Sequence, residues 1–306
     1  MPRAPAGGIV ECVPNVSEGR DRSVLDRFAE AISGTPGVTL MNVHADADHH
    51  RSVFSFLGTP AAVEAAALTL AARVFATIDM RTHRGVHPRV GALDVLPFVR
   101  LQGVSMAETV QLARRVGRVL AARHELPVYY YGFAATRETR PTPRRLRVGG
   151  YEGLAARLAT PEGAPDAGPA RFDPRSGAVL VGAREILVAF NVWLESSDLD
   201  AARAIARTVR ESSGGLPAVQ AMGVSLASRG IVQVSMNLLD YRATPIPVVF
   251  DRASGEARRR GIAVARGELV GVAPRAAFAD RSPQSVGLPD FTAELYLDSH
   301  LARTPG

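Results

Sequence analysis

The spacing of apolar residues switches back and forth along this 306-residue chain, and that alternation restricts the fold more than any other feature. Short apolar runs at 8–13, 38–44, 52–57, 93–101 and 128–131, punctuated by Gly and Pro, read as strands. Between them, 21–32, 60–75 and 105–124 carry apolar residues at helical spacing, as in Val63, Ala66, Ala67, Leu70 and Val74. Pro60 suits a first helical turn, and Ser105 with Glu108 forms a capping box. Over 160–177 the composition shifts to Pro, Gly, Ala and Asp, which reads as a linker. The pattern then resumes with an apolar strand region at 178–193, a helix at 198–212, a strand pair over 219–240 turning at Ser228-Arg229-Gly230, a helix at 245–260 and a strand near 269–272. From residue 281 the tail reads as irregular and peripheral. The expected divisions are therefore 1–177, 178–280 and a tail, 281–306. Gly8-Ile9-Val10 reaches Asn15 and Glu18 as Gly230-Ile231-Val232 reaches Asn237 and Asp240, an echo that two related subdomains would produce. The expected class is α/β (α+β), with two similar lobes, each a mixed sheet layered with helices, and the cleft between them as the default site.

Composition removes several function classes. All 36 basic residues are arginine, so Schiff-base chemistry and a P-loop lysine are excluded. The net charge of +6 raises nucleic acid as a partner, but the arginines are intermixed with acids and no helix-turn-helix, zinc finger or aromatic RNA-binding motif is present. No apolar run approaches the roughly 20 residues of a membrane span, and the first eight residues lack the apolar core of a secretory signal. Cys12, the single cysteine, excludes an intrachain disulfide and a multi-cysteine metal site, and beside an apolar strand it reads as a core residue rather than a nucleophile. The expected setting is the cytoplasm, with no membrane and no nucleic-acid partner.

Five of the seven histidines fall in two short segments, Asn42-Val43-His44-Ala45-Asp46-Ala47-Asp48-His49-His50-Arg51-Ser52 and His83-Arg84-Gly85-Val86-His87-Pro88-Arg89. A Gly/Pro-punctuated loop entering a strand is a common seat for binding and catalytic side chains. Histidine moves protons near neutral pH, and the neighbouring arginines suit an anionic substrate. A metal site is the competing reading. However, the His83-x-x-x-His87 spacing spans Gly85 and precedes Pro88, so it does not sit on a regular helix, and no HExxH pattern occurs. The segment Gly168-Pro169-Ala170-Arg171-Phe172-Asp173-Pro174-Arg175-Ser176-Gly177 reads as a spacer on its own residues. The alternative is a cleft lining, with Arg171 and Arg175 for carboxylates and Phe172 for a flat ring.

A set of ordered motifs adds to this. Glu11-Cys12-Val13-Pro14-Asn15-Val16-Ser17-Glu18-Gly19, Asp46-Ala47-Asp48-His49-His50-Arg51-Ser52-Val53, the run from His83 to Val95, Gly182-Ala183-Arg184, Ala189-Phe190-Asn191-Val192, Gln233-Val234-Ser235-Met236-Asn237-Leu238 and Glu268-Leu269-Val270-Gly271 together resemble the glutamate formiminotransferases (formimidoyltransferases) across about 8–280. The resemblance is to the transferase module, with no cyclodeaminase half. It implies two α/β lobes with a charged tunnel between them, a homodimer, and transfer of a formimino group from N-formiminoglutamate to N5 of tetrahydrofolate. It also implies that His87, in the N-terminal subdomain, is the acid/base. His44, Arg51, Arg89, Arg184 and Asn191 would bind substrate, and 168–177 would contact folate, which overturns the spacer reading. No metal is implied. Val86, His50, Ala167, Trp193 and Pro247 depart from the usual family pattern, which leaves the formimino donor open. The alternatives are a related folate-dependent one-carbon transferase or cyclohydrolase with another donor, and a folate-binding paralogue without turnover.

Overall fold

A computed structural model describes residues 8–140 and 142–303; the stretch inspected for a signal sequence lies almost wholly outside them. The chain forms two compact units whose border in sequence falls between Arg184 and Glu185.

The first unit runs β1 (Val10–Cys12), β2 (Asn15–Val16), α1 (Arg22–Ser33), β3 (Val38–Asp46), β4 (Arg51–Gly58), α2 (Pro60–Thr77), β5 (Leu93–Arg100), α3 (Met106–His124), β6 (Val128–Gly132), α4 (Pro143–Leu146), α5 (Leu154–Leu158) and β7 (Val179–Arg184). β1 and β2 are one strand interrupted at Val13-Pro14, since both lie between β4 and β5. Pro14 has no N–H to give to a ladder, but its carbonyl still accepts from Phe54 N at 3.0 Å. Counting them as one, the strands lie β3, β4, β1/β2, β5, β7, β6; β7 runs parallel to both β5 and β6, and the other pairs are antiparallel.

Alternation along the strands separates two faces. Val10, Cys12, Phe54, Phe56, Leu96, Phe98, Val179 and Val181 pack in one buried cluster with α1, α2 and α3. The register puts Glu11, Asn15, His44, Asp46, Arg51 and Arg184 on the other face. Next to this polar row, Leu146, Leu154 and Leu158 cover Val95, Tyr129, Tyr131 and Leu180. By length and composition α2 is also apolar enough to cross a bilayer; here its Val63, Ala66, Ala67, Leu70 and Val74 lie in the core.

The second unit is β8 (Val188–Leu194), α6 (Leu199–Val209), β9 (Val219–Leu226), β10 (Ile231–Leu238), α7 (Ile246–Arg259) and β11 (Val264–Val270), followed by the short α8 (Leu297–Leu301). Its strands lie β9, β10, β8, β11 and are antiparallel throughout, where the sequence reading expected a mixed sheet. One face packs against α6 and α7.

Both units share the β-α-β-β-α-β succession and the same strand order, so the two lobes are alike in topology. The expected echo nevertheless joined non-equivalent strands, because β1/β2 corresponds to β8 and not to β10. The equivalent positions are Asn15-Val16 and Asn191-Val192. Each precedes a helix whose aspartate cap, Asp21 or Asp198, accepts from the amides two and three residues on.

Two further expectations change. The apolar stretch 178–193 is two strands: β7 pairs with β5 and β6, whereas β8 pairs with β10 and β11. The border therefore moves from 177 to Arg184, and the Pro/Gly-rich segment 160–177 is a packed part of the first unit, with Val128 N donating to Ala167 O at 2.9 Å. The tail is not peripheral either. Val286, Leu288 and Leu297 are buried, and Phe278, Phe291 and Tyr296 pair edge-on with centroids 4.7–5.6 Å apart.

Candidate active site

The histidine loop is anchored at both ends. Ser17 Oγ donates to Gly91 O at 2.7 Å, Ala92 N to Ser176 O at 2.9 Å, and Met80 N to Arg175 O at 2.9 Å. Gly91 is required there, because a Cβ would stand 2.2 Å from the Ala178 carbonyl oxygen. At the tip, Gly85 lets the loop close on the loop between β3 and β4, since a Cβ there would stand 2.3 Å from His49 O. Val86 N donates to Asp48 O at 3.1 Å, and Arg20 spans both loops by donating to Ala47 O and Arg84 O. The two histidine-bearing segments of the sequence thus form one surface.

On that surface His87 is half-buried, with its ring centroid 5.6 Å from that of His49. Its Nδ1 lies 2.8 Å from Pro88 O. A carbonyl only accepts, so this contact places the proton on Nδ1 and leaves Nε2 with a lone pair. Burial, and then the charges of Arg51, Arg147 and His49, push the His87 pKa well below the ordinary imidazole value. The ring is therefore neutral at pH 7.

The charges come from a buried cluster. Asp94, fully buried, accepts from Arg51 Nη1 at 2.6 Å, from Arg147 Nη2, and from Val90 N at 2.8 Å. Arg51 also donates from Nε and Nη2 to Asn15 Oδ1 at 3.0 and 2.7 Å. Burial acts to raise the Asp94 pKa, but the two guanidinium groups outweigh it and hold the carboxyl ionised. Burial draws Arg51 down to about 10, so it stays charged at neutral pH. Two cations share one carboxylate, which leaves net positive charge beside His87.

His83 occupies a different setting. It stacks on His50 with centroids 4.2 Å apart; its Nε2 lies 2.8 Å from His50 O, and its Nδ1 accepts from Arg89 Nε at 3.1 Å. Burial lowers its pKa to about 4. Arg89 turns its other nitrogens on both oxygens of Glu152, at 2.9 and 2.7 Å. Arg89, expected at the substrate, is thus engaged in the bracing of His83. Glu18 gathers the amides of Gly19, Arg20 and Asp21 and lies 3.3 Å from His50 Nε2. Burial acts to raise its pKa, but the His50 bond and the Arg20 and Asp21 amides outweigh it and hold the carboxyl at about 2.

The other expected residues fall as follows. His44 is on β3 opposite Val53, on the same sheet face as Arg51. Arg184 ends β7 on that face, where its charge reaches the buried Glu11. Burial lifts Glu11 to about 7, and Arg184 offsets part of the rise. In the loop 168–177, Phe172 packs on Tyr151 at 5.4 Å, Arg175 Nη2 donates to Ala76 O at 2.9 Å, and Asp173 accepts from the amides of Arg175 and Ser176. Arg171 faces Glu125 at 3.6 Å on the surface. Asn191 belongs to the second unit, where its Nδ2 and the Trp193 Nε1 donate to one oxygen of Glu268 at 2.8 and 3.1 Å.

Sequence reasoning missed Asn15, Glu18, Asp94, Arg147 and Glu268 as site-forming groups. Asp94 was visible inside the histidine motif, but a lone acid entering an apolar strand signals nothing until its two arginines are found. Among the described residues, no group of three His, Cys, Asp or Glu is placed to hold a metal.

The sequence matches two family models: the formiminotransferase domain, N-terminal subdomain, over 9–184, and the formiminotransferase domain over 189–283. It is 37% identical to a glutamate formimidoyltransferase of Streptococcus pyogenes serotype M1 over 294 residues, covering 96% of this chain and 98% of that one. A glutamate formimidoyltransferase of Thermoplasma acidophilum is 39% identical over 277 residues, 89% of this chain and 90% of that one. The formimidoyltransferase-cyclodeaminase of Rattus norvegicus is 43% identical over 278 residues, 89% of this chain, and the match spans about half (51%) of that relative. The chain belongs to the formiminotransferase family.

Proposed function

We propose that this protein transfers a formimino group from N-formiminoglutamate, or a related formimino amino acid, to N5 of tetrahydrofolate, with His87 as the general acid and base. The observation that carries the reading is the His87 tautomer: Nδ1 is committed to Pro88 O, so Nε2 is the nitrogen available to a substrate. N5 attacks the formimino carbon and loses its proton to Nε2. The same proton then passes to the nitrogen that departs as the amino acid amine, so one imidazole serves both steps and ends neutral.

Both substrates carry carboxylates, and the excess charge of Arg51 and Arg147 beside His87 suits an anion. An anion placed there also offsets the charges that depress His87, raising its basicity in the complex toward the working range. Holding both substrates together contributes proximity. His44, Arg184 and Asn191 are assigned to substrate, and the loop 168–177, which is stitched to the end of the histidine loop, to folate. The working enzyme in this reading is a metal-free cytoplasmic homodimer. Val86 presents an apolar side chain, 48% exposed, next to His87, which favours a second reading in which the donor is another formimino amino acid.

The test mixes the protein with tetrahydrofolate and N-formiminoglutamate, acidifies, and reads the absorbance of methenyltetrahydrofolate, with His87→Ala alongside. The expected loss in the variant is roughly 10²- to 10⁴-fold in kcat. Wild-type turnover that survives intact in His87→Ala would refute the assigned base. Folate binding without turnover would turn attention to other formimino donors.

A further inference from the structure

The second unit contains a cavity of about 310 Å³ between α7 and the edge strand of its sheet, β11. Phe250, Ser254 and Arg258 enter it from α7 at intervals of four residues, which places them on one helix face. Ile262, Val264 and Arg266 enter from the edge strand and the turn before it. The helix and the strand each contribute apolar side chains and one arginine to the lining. Among the described residues, the buried Ser254 hydroxyl oxygen has no hydrogen-bond partner. Arg258 makes no ion pair among the described residues, and Arg266 pairs with the exposed Asp290 at 3.2 Å while its Nε donates to Gly267 O at 3.2 Å. An orphaned buried hydroxyl, an unpaired guanidinium at Arg258, a second guanidinium held only by an exposed acid and a carbonyl, and apolar side chains are groups that one kind of ligand satisfies together.

We propose that this cavity binds a small organic carboxylate with an aromatic or branched apolar body. The carboxylate sits between Arg258 and Arg266, accepts from Ser254 Oγ, and leaves the body against Phe250, Ile262 and Val264. Arg266 gives the cavity a line of communication. Its guanidinium carbon lies 5.7 Å from the centroid of the Trp193 ring, whose other cationic neighbour, Arg229, is at 4.4 Å. Trp193 in turn shares Glu268 with Asn191. A carboxylate that draws Arg266 into the cavity therefore alters the charge over Trp193 and, through Glu268, the setting of Asn191.

Trp193 is the only tryptophan in the chain, so its fluorescence reports on that step without a label. The experiment titrates the whole protein with 3-phenylpropionate and, in parallel, with the uncharged 3-phenylpropionamide, reading heat by calorimetry and Trp193 emission. The expected result is saturable, one-to-one binding of the acid at millimolar concentration, accompanied by a change in emission, with the amide at least tenfold weaker. Arg258→Gln, on an exposed helix position, weakens the acid at least tenfold, and Ser254→Leu, which fills the cavity, abolishes binding. Absence of saturable binding, equal binding of acid and amide, or wild-type affinity in both variants overturns the site. Binding with unchanged emission overturns the link through Arg266. Neither signal requires formimino transfer, so failure here is distinguishable from failure of the catalytic assignment.

Discussion

Replacing Asp94 by Asn is the sharpest probe of the site, because the change is nearly isosteric and removes one buried charge that two buried cations share. Asp94 accepts from Arg51, Arg147 and Val90 N, and none of its surface is exposed. Asparagine keeps one carbonyl oxygen but turns an amide N–H₂ toward a guanidinium that can only donate. Removing one member of a buried ion pair typically costs about 3–5 kcal/mol, because the remaining charge is left uncompensated. For a unit of this size each kcal/mol shifts the midpoint by about 2–4 °C, so the thermal transition of the first unit should fall by roughly 6–20 °C.

Urea and thermal unfolding at pH 7, followed by circular dichroism, read the loss directly. The sign with pH is fixed as well. The folded-state pKa of Asp94 lies below its ordinary 3.8, so its contribution is present above that value and fades as pH falls through the folded pKa. The gap between wild type and variant should therefore close in strong acid. A loss below about 1 kcal/mol at pH 7 would refute the reasoning, since it would mean that the two guanidinium groups do not depend on this carboxylate.

Three other outcomes are expected. Because His87 in the free protein titrates well below its ordinary 6.5, kcat/KM should hold flat as pH falls to 6, and the acid limb of kcat should lie higher than that of kcat/KM once substrate anions offset Arg51 and Arg147; an ordinary limb near 6.5 in kcat/KM would contradict this. Glu11 is raised from 4.5 to about 7, so its folded form favours the proton, and the resulting stability is complete below 4.5 and lost as pH rises through 7. Glu11→Gln should therefore gain on wild type by about 3 kcal/mol between pH 4 and pH 8 in urea titrations, whereas a constant difference would place the carboxyl in a solvated setting. Truncation after Asp280 removes the buried Val286, Leu288 and Leu297, at about 2 kcal/mol each. Limited proteolysis should then find the second unit unfolded, and a resistant truncated protein would show that the tail is dispensable.

What the sequence reveals follows from how local each signal is. α2 and α3 announce themselves through periodicity and caps, and the histidine loop through its turn residues, because those signals lie within a few positions of one another. α4 and α5, of four and five residues, are too short to show a period. The segment 160–177 looks like a linker because its composition suits turns, but its role depends on pairings such as Gly91 with Gly177 that no local pattern records. The apolar run at 178–193 looks continuous because both strands in it are buried, and only partners elsewhere assign them to different sheets. At the site, Arg147 carries no motif at all. It stands 53 positions from Asp94, and only the covering segment of the first unit brings it there.

That separation fixes an order of assembly during synthesis. Chain growth delivers Asn15, Arg51 and Asp94 first, all borne by or beside strands of a β-α-β-β-α-β half that is complete once Arg100 has emerged. At that stage one guanidinium faces one carboxylate, and the embryonic site is electrically neutral. The anion-attracting surplus arrives only with Arg147, and β7, which backs the covering segment, follows later still. A nascent chain thus holds its central ion pair before Arg147 adds the surplus charge, and the histidine loop is anchored last, when Arg175 and Ser176 supply the carbonyls that accept from Met80 N and Ala92 N.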